Sequence, residues 1–249
     1  QGEQKLREVL AGYSYESRGV ITRPEQIIVG AGIQSLLEIL LTCLPLENKK
    51  AAFEKPGFPK AEIIFTNAGW HLEQFDINEL ATRNLPPLLF ISPSNPYKGL
   101  TLTADERVEL LNWAKNTNGL IIEDDYNGEF RYFARPTGAL QGLEGGENVI
   151  YFGSFSRLLM PSLRISYMVL PQTLLPSYWE KATLFNQTSS TIEQLALAEF
   201  IAAGHLGRHV RRLRKLYATK NILLRKALHE IFGNRIEVTA VAEYFMQGF

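Results

Sequence analysis

Short apolar runs that end in glycine, proline or acidic residues, each close to a stretch of helical spacing, recur from Gln26 to Pro171. This alternation constrains the fold more than any other feature. "QIIVG" passes through a glycine turn into the long apolar stretch "IQSLLEILLTCL". "KAAFEKPGFPKAEIIFTNAGWHLEQF" predicts a strand, a Pro-Gly turn, a helix and a further strand, and "PPLLFISPSNPYKGLTLT" an apolar run closing in turn residues. "ADERVELLNWAKNTNG" places Leu110, Leu111 and Ala114 on one helical face, and "LIIEDDY" follows as a buried strand with an acidic end. "NVIYFGSFS" and "RISYMVLP" are the next strands. Strands and helices in alternation predict an α/β sheet with helices on both faces.

The flanks are helical. Leu6, Val9 and Leu10 in "GEQKLREVLAGYSYESRGV" have helical spacing before a turn at Gly19. After "TLFNQTSSTIEQLALAEFIAAG", the stretch "HLGRHVRRLRKLYATKNILLRKALHEIFG" predicts one long helix, and "RIEVTAVAEYFMQGF" a β segment. The organisation expected is a helical segment over 1–24, a large α/β domain over 25–204, and an interdomain helix with the start of a small domain over 205–249. Both ends read as the interior of a longer protein.

Composition excludes several classes. With 249 residues, 45% hydrophobic and 11% aromatic, the chain can bury one substantial core or two modest ones. Lys+Arg and Asp+Glu are 26 each, so the overall balance offers no field for a phosphate backbone or an anionic membrane. Nucleic-acid binding by this chain alone is disfavoured. The single Cys43, inside "LLEILLTCLPL", permits no internal disulfide and fits a reducing, cytoplasmic setting. It reads as a buried structural thiol. "SLLEILLTCLPL" is too short for a membrane span and carries Glu38, and the first residues read as an amphipathic helix rather than a signal peptide. His205 and His209 have the spacing of helical metal ligands, but without a third ligand no metal is expected. "RHVRRLRK" reads as a solvated helix face, and Trp70, Trp113 and Trp179 as core or interface residues.

Four loops at strand ends carry candidate chemistry, since ligands of open α/β sheets bind at such ends. "VGAGIQ" serves either as a structural turn or as a close backbone approach to an anion at a helix start. "SPSNPYKG" is an ordinary loop or an Asn-Pro turn with its amide aimed into a cleft. "IIEDDYNGEF" ends an apolar run with Asp124 and Tyr126: a solvated strand end, or a buried carboxylate able to hold a pyridinium nitrogen protonated. "YFGSFSRLLMPSLRISYMVLP" supplies Ser154, Ser156 and Arg164, donors suited to a phosphate.

In order and composition these loops, with "LREVLAGYSYESRGV", "FEKPGFPKA", "IIEDDYNGEFRY", "ALQGL", "MPSLRISYMVLP" and "HVRRLRKLY", resemble the aminotransferase-like domain of MocR-type, GabR-like GntR regulators. The resemblance covers nearly the whole chain. It implies a fold-type I pyridoxal-phosphate architecture, a mixed, mostly parallel sheet sandwiched by helices, with an incomplete smaller C-terminal α+β domain. It also implies pyridoxal 5'-phosphate as cofactor, a small amine or amino-acid effector, a homodimer, and DNA contact only through a winged helix-turn-helix N-terminal to this chain. Carried over by position, Asp124 pairs with the pyridine nitrogen and Tyr126 and Asn95 with the ring hydroxyl oxygen. Phe58 stacks on the ring. Gly32 and Ile33 give backbone N–H groups to the phosphate, joined by Ser154, Ser156 and Arg164.

Three positions depart from the family. Arg157 stands where the family has its Schiff-base lysine; a guanidinium stays protonated and is no nucleophile towards an aldehyde. Lys60 falls where GabR-like proteins grip an effector carboxylate with an arginine, and it lacks that bidentate fork. The "SPSNPYKG" loop is one residue shorter than usual in the branch, which bears on Asn95. An effector-sensing regulator domain is therefore the leading expectation. A stand-alone aminotransferase, inactive with Arg157, is the alternative, and a structural protein that has lost the cofactor is a third.

Overall fold

The computed structural model describes residues 1–80, 82–95, 100–125, 128–129, 137–143 and 145–235, the side chains of Asn95, Leu100 and Asn234 aside. The β segment expected after Arg235 lies outside them. The strands are β1 (Ile27–Gly30), β2 (Lys50–Glu54), β3 (His71–Phe75), β4 (Leu88–Ile91), β5 (Ser94–Asn95), β6 (Leu100–Thr101), β7 (Leu120–Asp124), β8 (Val149–Ser154) and β9 (Ser166–Val169). The helices are α1 (Gln4–Arg18), α2 (Ile33–Cys43), α3 (Pro59–Asn67), α4 (Ala104–Thr117), α5 (Leu140–Leu143), α6 (Leu175–Lys181), α7 (Thr191–Ala202) and α8 (His205–Phe232).

Seven strands form one sheet in the order β1-β9-β8-β7-β4-β2-β3, and β5 pairs with β6 apart from it. β9 runs antiparallel to both of its neighbours, while β8, β7, β4, β2 and β3 pair in parallel. This is the α/β sheet that the alternation predicts, with the mixed, mostly parallel order that the resemblance implies. The inner strands are largely apolar because both of their faces are covered, whereas the edge strand β3, HLEQF, is mostly exposed or half-buried. Ile28, Phe53, Phe90, Ile122, Phe152 and Met168 pack with α2, α3 and α6 on one face. Their neighbours point the other way, as successive strand residues must. Ile27, Val29, Tyr151, Tyr167 and Val169 meet Leu6 and Leu10 of α1, Leu197 of α7 and Leu206 of α8. Leu89, Ile91, Ile121 and Val149 meet Leu110, Leu111 and Ala114 of α4, the face expected from their spacing.

Local chemistry sets the helix ends. Thr103 Oγ1 accepts from the Glu106 N–H at 3.2 Å while Glu106 Oε2 accepts from the Thr103 N–H at 2.6 Å, a capping box that starts α4. Asn118, in the left-handed region at φ 53°, closes the same helix. The basic stretch near residue 208 lies in α8, a 28-residue helix. The imidazoles of His205 and His209 are engaged apart from one another: His205 Nδ1 lies 2.7 Å from Arg208 Nη2, and His209 Nε2 lies 2.8 Å from the Leu158 carbonyl. Cys43 is buried, and burial pushes its thiol pKa up. No described helix is long and apolar enough to cross a membrane.

Candidate functional site

The parallel strands deliver their carboxyl ends to one edge of the sheet. Asp124 ends β7 opposite Phe152 of β8, and Ser154 ends β8 opposite Ser166 of β9, which in turn faces Gly30 at the end of β1. Residues far apart in sequence thus gather in a row.

Asp124 is the chemical centre of that row. It is 5% exposed, and its Oδ1 atom is buried without a hydrogen-bond partner among the described residues. Burial first, then the neighbouring charges of Asp125 and Glu123, push its carboxyl up to about 7. A buried polar atom is ordinarily paired, so a carboxylate oxygen with no partner among the described residues calls for a donor beyond them. The protonated nitrogen of a pyridine ring meets that need.

The anion side is built by the β1–α2 turn and the two loops beyond it. Gly32, at φ 89°, caps α2 in a conformation open to glycine. A Cβ there would collide with the guanidinium of Arg164, so the turn and that cation approach closely because residue 32 has no side chain. Arg164 Nη2 donates to the Ala31 carbonyl at 3.1 Å. Arg164 is itself held at φ 51°, a costly conformation for a non-glycine residue and one that clusters at ligand clamps. Ser154 Oγ accepts from the Ser156 N–H at 3.4 Å and from Ser166 Oγ at 3.0 Å. The Gly32 N–H is given to the Gly30 carbonyl at 2.9 Å, which leaves Ile33 and the N–H groups after it in the first turn of α2 as the donors a helix start offers an anion.

The other expected residues are placed as follows. Phe58 precedes α3 and is half-buried against the core. Lys60 is exposed in the first turn of α3. Arg157 is half-buried in the turn after β8. Asn95 lies in β5 with its side chain undescribed, and Tyr126 lies outside the described residues.

Two features escaped the sequence reading. Thr188 Oγ1 accepts from the Ala31 N–H at 2.8 Å and Gln187 Nε2 donates to the Val29 carbonyl at 3.3 Å, so the segment before α7 clamps the β1–α2 turn. Nothing local in "FNQTSS" signals this. The second is a buried cluster behind Asp124. Arg18 Nε and Nη2 donate to the two carboxylate oxygens of Asp125 at 2.5 and 3.1 Å, and Tyr151 Oη donates to the same carboxylate at 2.9 Å. The extra acidic residues of "EDDYNGE" were its visible signal, with the partner over a hundred positions away.

An open sheet of this order, with the candidate ligand groups at its carboxyl edge, is the fold of the fold-type I aminotransferase class. It superposes on the multiple substrate aminotransferase of Thermococcus profundus with a TM-score of 0.82, over 97% of this chain and 64% of that one at 21% identity. With the Pyrococcus horikoshii kynurenine aminotransferase crystallised with PMP the TM-score is 0.80, over 94% and 61% at 22% identity. The chain belongs to the aminotransferase class I and II family, whose model matches residues 1–246.

Its sequence relatives are transcriptional regulators. It is 41% identical to the uncharacterized HTH-type transcriptional regulator YdeL of Bacillus subtilis (strain 168), over 95% of this chain and 52% of the relative. It is 36% identical to the probable rhizopine catabolism regulatory protein MocR of Rhizobium meliloti, over 88% and 46%. With the HTH-type pyridoxine biosynthesis transcriptional regulator PdxR of Corynebacterium glutamicum it shares 33% identity, over 93% and 52%. The chain spans about half the length of these relatives.

Proposed function

We propose that this chain is the pyridoxal-phosphate- and effector-binding domain of a MocR-type transcriptional regulator, sensing a small amine or amino acid without transaminating it. The observation that carries the reading is the buried Asp124 Oδ1, without a hydrogen-bond partner among the described residues, on the edge where Arg164, Ser154 and the start of α2 collect. When bound, the cofactor supplies an aldehyde and an electron-withdrawing ring.

Asp124 holds a proton between its Oδ1 and the ring nitrogen. Ser154, Ser156, Arg164 and the Ile33 N–H bind the phosphate, and Phe58 covers one ring face. By the resemblance, Asn95 and Tyr126 orient the ring oxygen and Lys60 takes the effector carboxylate. Arg157 offers no imine-forming amine and forms no covalent link, so the cofactor is retained by ring stacking and hydrogen bonds. Each one to a charged group contributes on the order of 1.5–3 kcal/mol. The reader of DNA is a winged helix-turn-helix N-terminal to this domain, and the working unit is a cytoplasmic homodimer. A stand-alone aminotransferase would use the same fold, and Arg157 speaks against it.

Titration of the chain with pyridoxal phosphate, followed by dialysis, tests the reading. Saturable binding that dialysis reverses is expected, weaker by about 10- to 100-fold in Arg164→Ala, in line with the loss of one charge-assisted contact. Equal binding by both proteins, or none by the folded parent, would overturn it.

A further inference from the structure

Three carboxyls stand in sequence at the end of β7, and the protein treats each differently. Glu123 accepts from the N–H groups of Leu140 and Gln141 at 2.8 and 3.0 Å, the start of α5. Asp125 is gripped by both prongs of Arg18 and by Tyr151. Asp124, pointing to the opposite face from both, has an oxygen with no partner among the described residues. Two of the three are compensated from within the chain, and the third is left for a ligand.

The Arg18–Asp125 pair is built for permanence. Its side chains are 1% and 0% exposed. Arg18 also donates through Nη1 to the Gly128 carbonyl at 2.9 Å, and a Cβ on Gly128 would strike both Asp125 and Arg18. Around the pair, Glu129 Oε1 accepts from Tyr13 Oη at 3.2 Å, and Tyr167 Oη lies 2.9 Å from Ser14 Oγ. Burial opposes a charge on Arg18, yet Asp125, Tyr151 and Glu129 together hold it protonated above its ordinary range. Burial, followed by Asp125, pushes Glu129 up to about 7, and burial does the same for Glu123. Arg18 thus brings positive charge into this acid-rich cluster, and it comes from the last turn of α1.

We propose that Arg18 is a positioning residue for Asp124: by gripping the Asp125 carboxylate with both prongs of its guanidinium on the far side of the strand end, it sets the electrostatic field in which the ligand-facing carboxyl exchanges its proton, and so ties α1 to the state of the pocket. The inference rests on the reading that Asp124 faces a ligand. The groups acting on Asp124 are Glu123 and Asp125 beside it on the chain and, through Asp125, Arg18 and Tyr13 of α1, Glu129, and Tyr151 and Tyr167 of β8 and β9. Deleting the negative charge of Asp125 leaves the Arg18 cation uncompensated, which favours ionised Asp124. Deleting Arg18 leaves Asp125 unneutralised, which favours the protonated form.

The test follows the Asp124 carboxyl by 13C NMR in the whole chain without cofactor, its signal identified by loss in Asp124→Asn. The midpoint is expected to fall by about one pH unit or more in Asp125→Asn and to rise in Arg18→Met. In the double variant Arg18→Met/Asp125→Asn it returns towards the parent, a rescue that a merely structural role would not give. Asp125→Asn keeps the shape of the pair, so it decides the matter even where Arg18→Met fails to fold. An unmoved midpoint in Asp125→Asn, or a double variant no nearer the parent than the singles, would overturn the proposal. No cofactor enters the titration, so failure of pyridoxal phosphate to bind counts against the cofactor reading alone.

Discussion

A guanidinium, the group that stands at position 157, is no nucleophile towards an aldehyde, whereas a buried lysine amine can attack one. Arg157→Lys is therefore expected to turn a dialysable pyridoxal-phosphate complex into one that borohydride fixes to the loop after β8. Mass spectrometry of the peptide reads the outcome, and the parent should give no adduct. Asp124 carries a second prediction. Its folded-state carboxyl sits near 7 against an ordinary 3.8, so the folded chain binds more protons than the unfolded one between those values. Stability from this group is full below the unfolded value and is lost as pH rises through about 7. Asp124→Asn has no such loss. Its melting temperature should gain on the parent between pH 5 and pH 8, by at least about 2–4 °C for each 1 kcal/mol relieved. A gap that stays constant with pH would show that Asp124 is already ionised. At this scale the sequence exposed Asp124 as the acidic end of an apolar run. It could not say which of three adjacent acids lacks a partner, because Arg18, Leu140 and Tyr151 reach them across the fold.

Elements place these residues through their ends. The α2 start requires Gly32 at positive φ, with Arg164 packed where a side chain would otherwise stand. α4 begins in the Thr103–Glu106 box and presents Leu110, Leu111 and Ala114 to the sheet face that carries Leu89 and Ile121. Thr103→Ala removes one half of that box and is expected to cost about 1 kcal/mol, seen as a melting temperature lower by about 2–4 °C. Cofactor affinity should be unchanged, since Thr103 lies in none of the ligand loops. These ends were legible because capping, turn chemistry and apolar spacing are local properties. The clamp of Thr188 and Gln187 on the β1–α2 turn was not, because it joins segments more than 150 residues apart.

For the whole molecule, the arrangement leaves large apolar side chains on the outer helices in solvent, among them Ile192 of α7 at 80% and Ile231 and Leu223 of α8 at 64% and 61% exposure. With two-fold assemblies the commonest oligomers, the full-length protein is expected to sediment as a dimer at micromolar concentration. A monomer under those conditions would refute the homodimer. The sequence by itself determined the alternation of strands and helices, the buried character of the strand in "LIIEDDY", and the loops where ligand groups would lie, because periodicity and turn residues act over a few positions. Only the tertiary structure decided that β9 runs against its neighbours and brings Ser166 beside Ser154. It alone decided that Arg18 neutralises Asp125 while Asp124 is left open, since strand order and charge pairing arise between distant segments once the core has closed around them.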